Sequence, residues 1–343
     1  MCQYISMFCD DAFRQIKKRP GKCTSTYVCF TMTYFVERYG KEEMMKLKNN
    51  LLLVLAALIW GVAFVAQSVG MEYVGPFTFN AVRFLIGGLV LVPCIFFLDR
   101  RERKERGEKI LEQREARRTL LLGGLCCGLC LTVASTLQQF GIMYTTVGKA
   151  GFITALYMII VPVIGIFLGK KLALPVWVSV GLGVAGMYLL CITESFHINF
   201  GDLLVLLCSI CFAGHILVID YFSPRADGVK MSCIQFFICG IICAVPMLLL
   251  EHPSLTVILN AWQPILYTGI LSCGVAYTLQ IVAQKGTNPV AASLLLSLES
   301  VFSVLAGWLI LGQRMSVREI FGCVLVFAGI ILVQIPWMTR DVH

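Results

Sequence analysis

Charge is what this sequence has least of. Only 14% of its 343 residues are Asp, Glu, Lys or Arg, against 58% hydrophobic, too few ionisable side chains for the polar surface of a soluble protein of this size. Catalytic signatures are absent as well. There is no His-Glu-x-x-His, no Walker A loop and no Gly-x-Ser-x-Gly, which argues against a zinc peptidase, an ATP-driven pump and a serine hydrolase. The sixteen cysteines lack the paired Cys-x-x-Cys spacing of a zinc ribbon. Most of them, Cys126, Cys127, Cys130, Cys208 and Cys211 included, lie in or beside apolar runs, where a thiol serves as a small packing residue. Metal binding by these thiols with His215 is the weaker alternative, and neither a metal nor any other cofactor is expected. The net charge of +8 does not form a nucleic-acid patch. Residues 1–48 hold 9 basic and 5 acidic side chains and residues 99–118 hold 9 and 6, so the excess sits in two short segments flanking apolar stretches, which is a topology signal.

What is present is a series of apolar runs. A spanning helix needs about 20 mostly apolar residues, and ten such runs fall at about 49–70, 77–98, 119–141, 149–168, 174–192, 202–221, 231–250, 261–283, 289–311 and 317–337. Lipid leaves unpaired backbone groups unsatisfied, so all ten read as helices, and the expected fold is an all-α integral membrane protein. Placing the N-terminus inside puts 24 Lys and Arg residues on the inner side and 3 on the outer, with Arg83 inside a span. Both termini are therefore expected to be cytoplasmic, with the lipid bilayer as first partner. Residues 1–48 read as a leader, and Met44 or Met45, directly before Lys46, Leu47 and Lys48, reads as the translation start. The alternative is a disordered or interfacial leader. Residues 338–343 form a short cytoplasmic tail.

Self-comparison reveals a repeat. Val133 to Gln138 match Val275 to Gln280 in five of six positions, and from residue 147 to 189 an offset of 143 runs without a gap. It pairs Val147 with Val290, Gly169 with Gly312 and Gly186 with Gly329. Upstream, Gly61 aligns with Gly214, Phe84 with Phe236 and Pro93 with Pro246. The repeats are expected to cover residues 49–192 and 201–337 with five spans each. An odd number of spans sends the second copy into the membrane from the opposite side, so the ten helices are expected to form two five-helix inverted repeats. Two near-equivalent packings of such a fold are the physical basis of alternating access, which is analogy at the level of architecture.

The first span reads Leu58, Ile59, Trp60, Gly61 and then Phe64. Further on come Pro76, Arg83, Gly87 and Gly88, and Gly201, Asp202 and Leu203 open the sixth span. Leu298, Glu299, Ser300, Val301 and Phe302 follow in the ninth. With these elements the sequence resembles the EamA branch of the drug/metabolite transporter superfamily over about residues 50–337. It departs where that family commonly ends helix four or nine with Gly-Glu, reading Gly169-Lys170 and Gly312-Gln313. The resemblance implies a permease for a small metabolite, an amino acid or related compound, with export as one of its two directions. Direction, coupling and oligomeric state stay open. A membrane-embedded enzyme and a non-transporting sensor or assembly protein are the alternatives.

Several residues stand out chemically. Glu299 lies near the middle of its span, where an acid costs about 2.5 to 3.5 kcal/mol on insertion scales. It reads as a proton-coupling or substrate-amine site, or else as a hydrogen-bonded carboxyl joining helices. Arg83, about 9 Å inside its span at 1.5 Å per residue, reads as a gating or structural charge that can snorkel or pair with an acid. His215 is mid-span, as a packing donor or a ligand. Cys273, Tyr277, Gln280 and Gln284, spaced four, three and four, make a polar stripe on one helical face, repeated less cleanly by Thr132, Ser135 and Gln138 or Gln139. With Trp60 and Tyr157 they outline a mixed aromatic and polar cavity for a small amphipathic solute. Interhelical hydrogen bonding is the plainer explanation of the same stripe.

Overall fold

The computed structural model describes residues 24–103, 110–169, 174–191, 199–312 and 316–334. Residues up to Lys48 cluster as one unit and those from Asn49 onward as another, and the architecture below is that of the second. The expected start at Met44 or Met45 lies within a helix. Residues 1–23 and the tail at 338–343 lie outside the described residues, as do Lys170 and Gln313.

Every element among the described residues is helical: α1 Thr24–Gly70, α2 Pro76–Arg103, α3 Ile110–Ile142, α4 Val147–Thr154, α5 Tyr157–Phe167, α6 Leu174–Cys191, α7 Phe200–Phe222 and α8 Gly228–Pro246. There follow α9 Leu255–Asn260, α10 Trp262–Leu266, α11 Thr278–Gln284, α12 Pro289–Leu296, α13 Leu298–Leu311 and α14 Val317–Gln334. Two stretches widen into π-helical turns, Met247–Glu251 after α8 and Tyr267–Tyr277 between α10 and α11. Eight helical segments are long and apolar enough to cross a membrane: Met44–Gly70, Pro76–Arg100, Ala116–Ile142, Val147–Phe167, Phe200–Phe222, Gly228–Glu251, Trp262–Gln284 and Pro289–Ile310. The protein is a multi-pass membrane protein. The two remaining expected runs are helices whose apolar stretches are shorter, Leu174–Gly186 in α6 and Ile320–Leu332 in α14.

Polar caps set where the helices begin. Thr146 accepts from Lys149 N (3.4 Å) at the start of α4, Asp227 accepts from Lys230 N (3.0 Å) at α8, and Asn288 accepts from Val290 N (2.9 Å) at α12, where Pro289 fills the first turn. Each supplies an acceptor to a backbone donor that has no partner within its helix. Asn199 and Asp202 form a reciprocal capping box at α7.

Two spans are broken in mid-course, and the breaks align in the register that pairs Val147 with Val290. Val147–Phe167 is interrupted between Thr154 and Tyr157, and Pro289–Ile310 at Ser297. A local cause is visible in the second: the hydroxyls of Ser293, Ser297, Ser300 and Ser303 donate to carbonyls three residues earlier, at Val290, Leu294, Ser297 and Ser300 (2.7–2.8 Å). Such back-bonding competes with the helical ladder and bends it. The second half of each broken span ends on a glycine in the left-handed region, Gly169 (φ 81°) and Gly312 (φ 67°).

Other contacts also come in related pairs. Phe84 stacks on Phe236, ring centroids 6.0 Å apart. In the packing of α6 along α14, a methyl group added at Gly186 would meet Gly322 O at 2.5 Å, and one added at Gly329 would meet Ser179 O at 2.7 Å. The same register pairs Gly186 with Gly329 and Ser179 with Gly322, so the two contacts are reciprocal. Gly186→Val or Gly329→Val forces these backbones to separate, overpacking that costs about 1–3 kcal/mol. Each is expected to lower the thermal midpoint of the detergent-purified protein, and an unchanged midpoint for both would contradict the close approach.

Candidate functional site

Within the helical bundle lies a cavity lined by residues of several helices. From α1 it receives Trp60, Phe64 and Gln67, spaced four and three and so on one face. Trp60 Nε1 donates to Ser272 O (3.4 Å), and its ring lies 4.6 Å from that of Tyr277. Ser272 and Tyr277 both come from the π-helical stretch. From α3, Gln138 Nε2 donates to Thr154 Oγ1 (3.2 Å) at the point where the broken span gives way.

Each second half-helix starts at the cavity wall. Tyr157 is the first residue of α5, and Glu299 lies in the first turn of α13. The backbone stays hydrogen-bonded through these breaks, Met158 N donating to Ala155 O (3.1 Å), Ile159 N to Leu156 O (2.9 Å) and Ser300 N to Ser297 O (3.1 Å), so each is a tightened turn within its span. Glu299 is 4% exposed, and its Oε1 has no hydrogen-bond partner among the described residues. Tyr157 is its neighbour across the gap, within electrostatic reach though without a regular hydrogen bond.

Arg83 enters from α2 and is 3% exposed. Its Nη1 donates to Gln67 Oε1 (2.9 Å), and the guanidinium lies 4.8 Å from the ring centroid of Phe84 and 5.4 Å from that of Phe79. Neither snorkelling nor pairing with an acid describes it: it is buried, and among the described residues no carboxylate forms an ion pair with it.

Of the expected residues, Trp60, Gln138, Tyr157, Tyr277, Gln280, Glu299 and Arg83 surround this one cavity. His215 stands behind its wall. It is 1% exposed, shares a 3.0 Å hydrogen bond with Gln235 Oε1 and packs edge-on against Tyr277. The polar stripe is redistributed. A π-helix turns less per residue than an α-helix, so Ser272 faces the cavity, while Cys273 packs in the core beside Gly87 of α2. Gln284 donates to Ile216 O (3.3 Å), as interhelical hydrogen bonding would have it. Gln67, Thr154, Phe212 and Ser272 were not anticipated. The four-three spacing from Trp60 could have found Gln67, but only the helix break and the π-turns bring Thr154 and Ser272 to the cavity. Among the described residues no three His, Cys, Asp or Glu side chains converge as metal ligands.

Two clasps join separate helices at one end of the bundle. Asp202, 3% exposed, accepts from Lys149 Nζ (2.5 Å), Thr145 Oγ1 (2.7 Å) and Asn199 N (2.9 Å). Glu251 caps α2 from outside, accepting from Phe77 N (2.9 Å), Thr78 N (2.7 Å) and Thr78 Oγ1 (2.5 Å). The related contacts at the opposite end are weaker. Asn49, which falls opposite Asp202 in the register that pairs Gly61 with Gly214, reaches Lys285 O and Thr287 Oγ1 at 3.4 and 3.5 Å. Asp99 pairs with Lys230 at 2.6 Å, with both side chains about a third exposed.

A family model described as "EamA-like transporter family" matches residues 47–192 and again residues 199–335. The chain belongs to the EamA-like transporter family. Relatives include an uncharacterized transporter of Archaeoglobus fulgidus, 29% identical over 310 residues that span 90% of this chain and 93% of that one. The uncharacterized transporter YoaV of Bacillus subtilis is 24% identical over 300 residues, 84% and 98% of the two chains. A solved crystal structure superposes with a TM-score of 0.68 at 18% identity, over 86% of this chain and 98% of the other, and so shares the fold.

Proposed function

We propose that this EamA-family protein is a secondary transporter that moves a small amphipathic metabolite, an amino acid or related compound, across the cytoplasmic membrane by alternating access. In this reading α6 and α14 complete a set of ten spans, arranged as two five-helix inverted repeats with both termini cytoplasmic. The observation that carries it is the cavity lined by Tyr157 and Glu299 at the starts of two half-helices, whose breaks occupy matching positions of the sequence repeat. Discontinuous helices at matching positions of two repeats are how carriers place a solute site at mid-membrane. The reciprocal Gly186 and Gly329 contacts and the Phe84–Phe236 stack support the twofold relation. Energy comes from the solute gradient or from protons, one charge crossing 100 mV yielding about 2.3 kcal/mol.

The test is a thermal-shift screen of the purified protein against amino acids, nucleosides, sugars and cationic drugs, since a ligand of the folded state raises its apparent stability. Flux of the hit in proteoliposomes follows. A selective hit that crosses only in vesicles containing the protein is the expected result. A stabilising hit that never crosses would end the transport reading in favour of a sensor.

A further inference from the structure

Arg83 poses a problem that the transport reading alone leaves unanswered. A buried guanidinium without an anionic partner is costly, because the desolvation of the charge is not returned by a counter-ion. Among the described residues the side chain hydrogen-bonds to the neutral Gln67, its Nε has no partner, and the residue opens on the cavity. The fold does not require the charge. Phe84 aligns with Phe236, so the position equivalent to Arg83 in the second half is Gln235, a neutral side chain whose Oε1 hydrogen-bonds to His215 while its Nε2 has no partner among the described residues. The other cavity charge is one-sided too, since the first-half position that aligns with Glu299 is Leu156. Two otherwise related halves thus present a cation from one and a carboxyl from the other, and Tyr277 is close enough to feel both.

We infer that Arg83 is the receptor for an anionic group of the transported solute, and that this group is a carboxylate on an aromatic or apolar body. The inference rests on the transport reading of the same cavity. The planar fork of a guanidinium matches a carboxylate with two parallel hydrogen bonds. Phe79 and Phe84 lie by the guanidinium, and such ring contacts leave the N–H edges as its means of recognition. One guanidinium neutralises one negative charge. A phosphate dianion would keep a second charge in a cavity that already holds the Glu299 carboxyl, so the singly charged carboxylate is favoured. Trp60, Phe64, Tyr157, Phe212 and Tyr277 supply an aromatic lining for the rest of the solute.

The experiment is binding to the detergent-purified protein, read by calorimetry and by thermal shift, of 3-phenylpropanoate, its neutral amide 3-phenylpropanamide, phenethylamine and phenyl phosphate. The expected result is that 3-phenylpropanoate binds at least tenfold more tightly than the other three. Arg83→Gln is expected to erase that preference and Arg83→Lys to keep part of it. Equal binding of the acid and its amide, tighter binding of phenyl phosphate, or no binding of the acid overturns the inference. The comparison of acid with amide uses the unaltered protein, so it stands even if Arg83→Gln does not fold. Binding without flux would sink the transport reading and leave the receptor in place, whereas flux of solutes without carboxylates would do the reverse.

Discussion

Glu299→Gln is expected to cut proton-driven accumulation of the transported solute in proteoliposomes at least tenfold, and to flatten its dependence on pH. Among the residues that line the cavity, Glu299 is the only acid. It lies in the first turn of α13 with one oxygen unpartnered among the described residues, so it is placed to exchange a proton or a cationic group with whatever enters. Glutamine keeps the size and the hydrogen-bonding capacity but cannot take up or release a proton, and one forgone coupling charge removes about 2.3 kcal/mol of driving force per 100 mV. Movement of solute down its own gradient is expected to persist, because the aromatic lining and Arg83 are untouched. Uptake and pH dependence both equal to those of the parent protein would show that the carboxyl merely joins helices.

The second large effect concerns the clasps. Asp202→Asn combined with Glu251→Gln is expected to loosen the end of the bundle where these residues lie and to leave the opposite end unchanged. Hydrogen bonds to charged groups contribute about 1.5–3 kcal/mol each, and Asp202 and Glu251 each accept three of them. The exposed Asp99–Lys230 pair at the other end belongs to the class worth about 0–1 kcal/mol. Under the alternating access proposed above, this inequality biases which face stays shut. Hydrogen exchange is the measurement: amides of residues 77–80 and 199–203 should exchange at least tenfold faster in the double variant, about 1.4 kcal/mol per factor of ten. Those of residues 228–232 should not change. Unaltered exchange at the first two segments would mean that the clasps do not hold that end closed.

Much of this protein was legible in its residues because lipid is a demanding solvent. Scarce charge, long apolar runs and the chain's self-similarity define helices, their order and the register of the repeat before any packing is known, since in hydrocarbon every backbone group must be satisfied within its own segment. The mid-span sequence position of Glu299, and the aromatic and amide character of Trp60, Gln138, Tyr157, Tyr277 and Gln280, follow from the same reading. What the tertiary structure alone decided is which side chains meet. The π-turns at 267–277 moved Cys273 into the core and Ser272 to the cavity, because a uniform helical periodicity cannot anticipate a local change of turn. The interruptions at Thr154 and Ser297 put half-helix starts at the cavity. Burial of Arg83 beside Gln67, rather than at the interface or against an acid, depends on residues 16 positions apart on separate helices. Asp202 lies in the first turn of α7 and Glu251 ends the π-helical stretch after α8. Their role as clasps is set by donors 53 to 174 residues away, and sequence periodicity carries no information about contacts between helices at such separations.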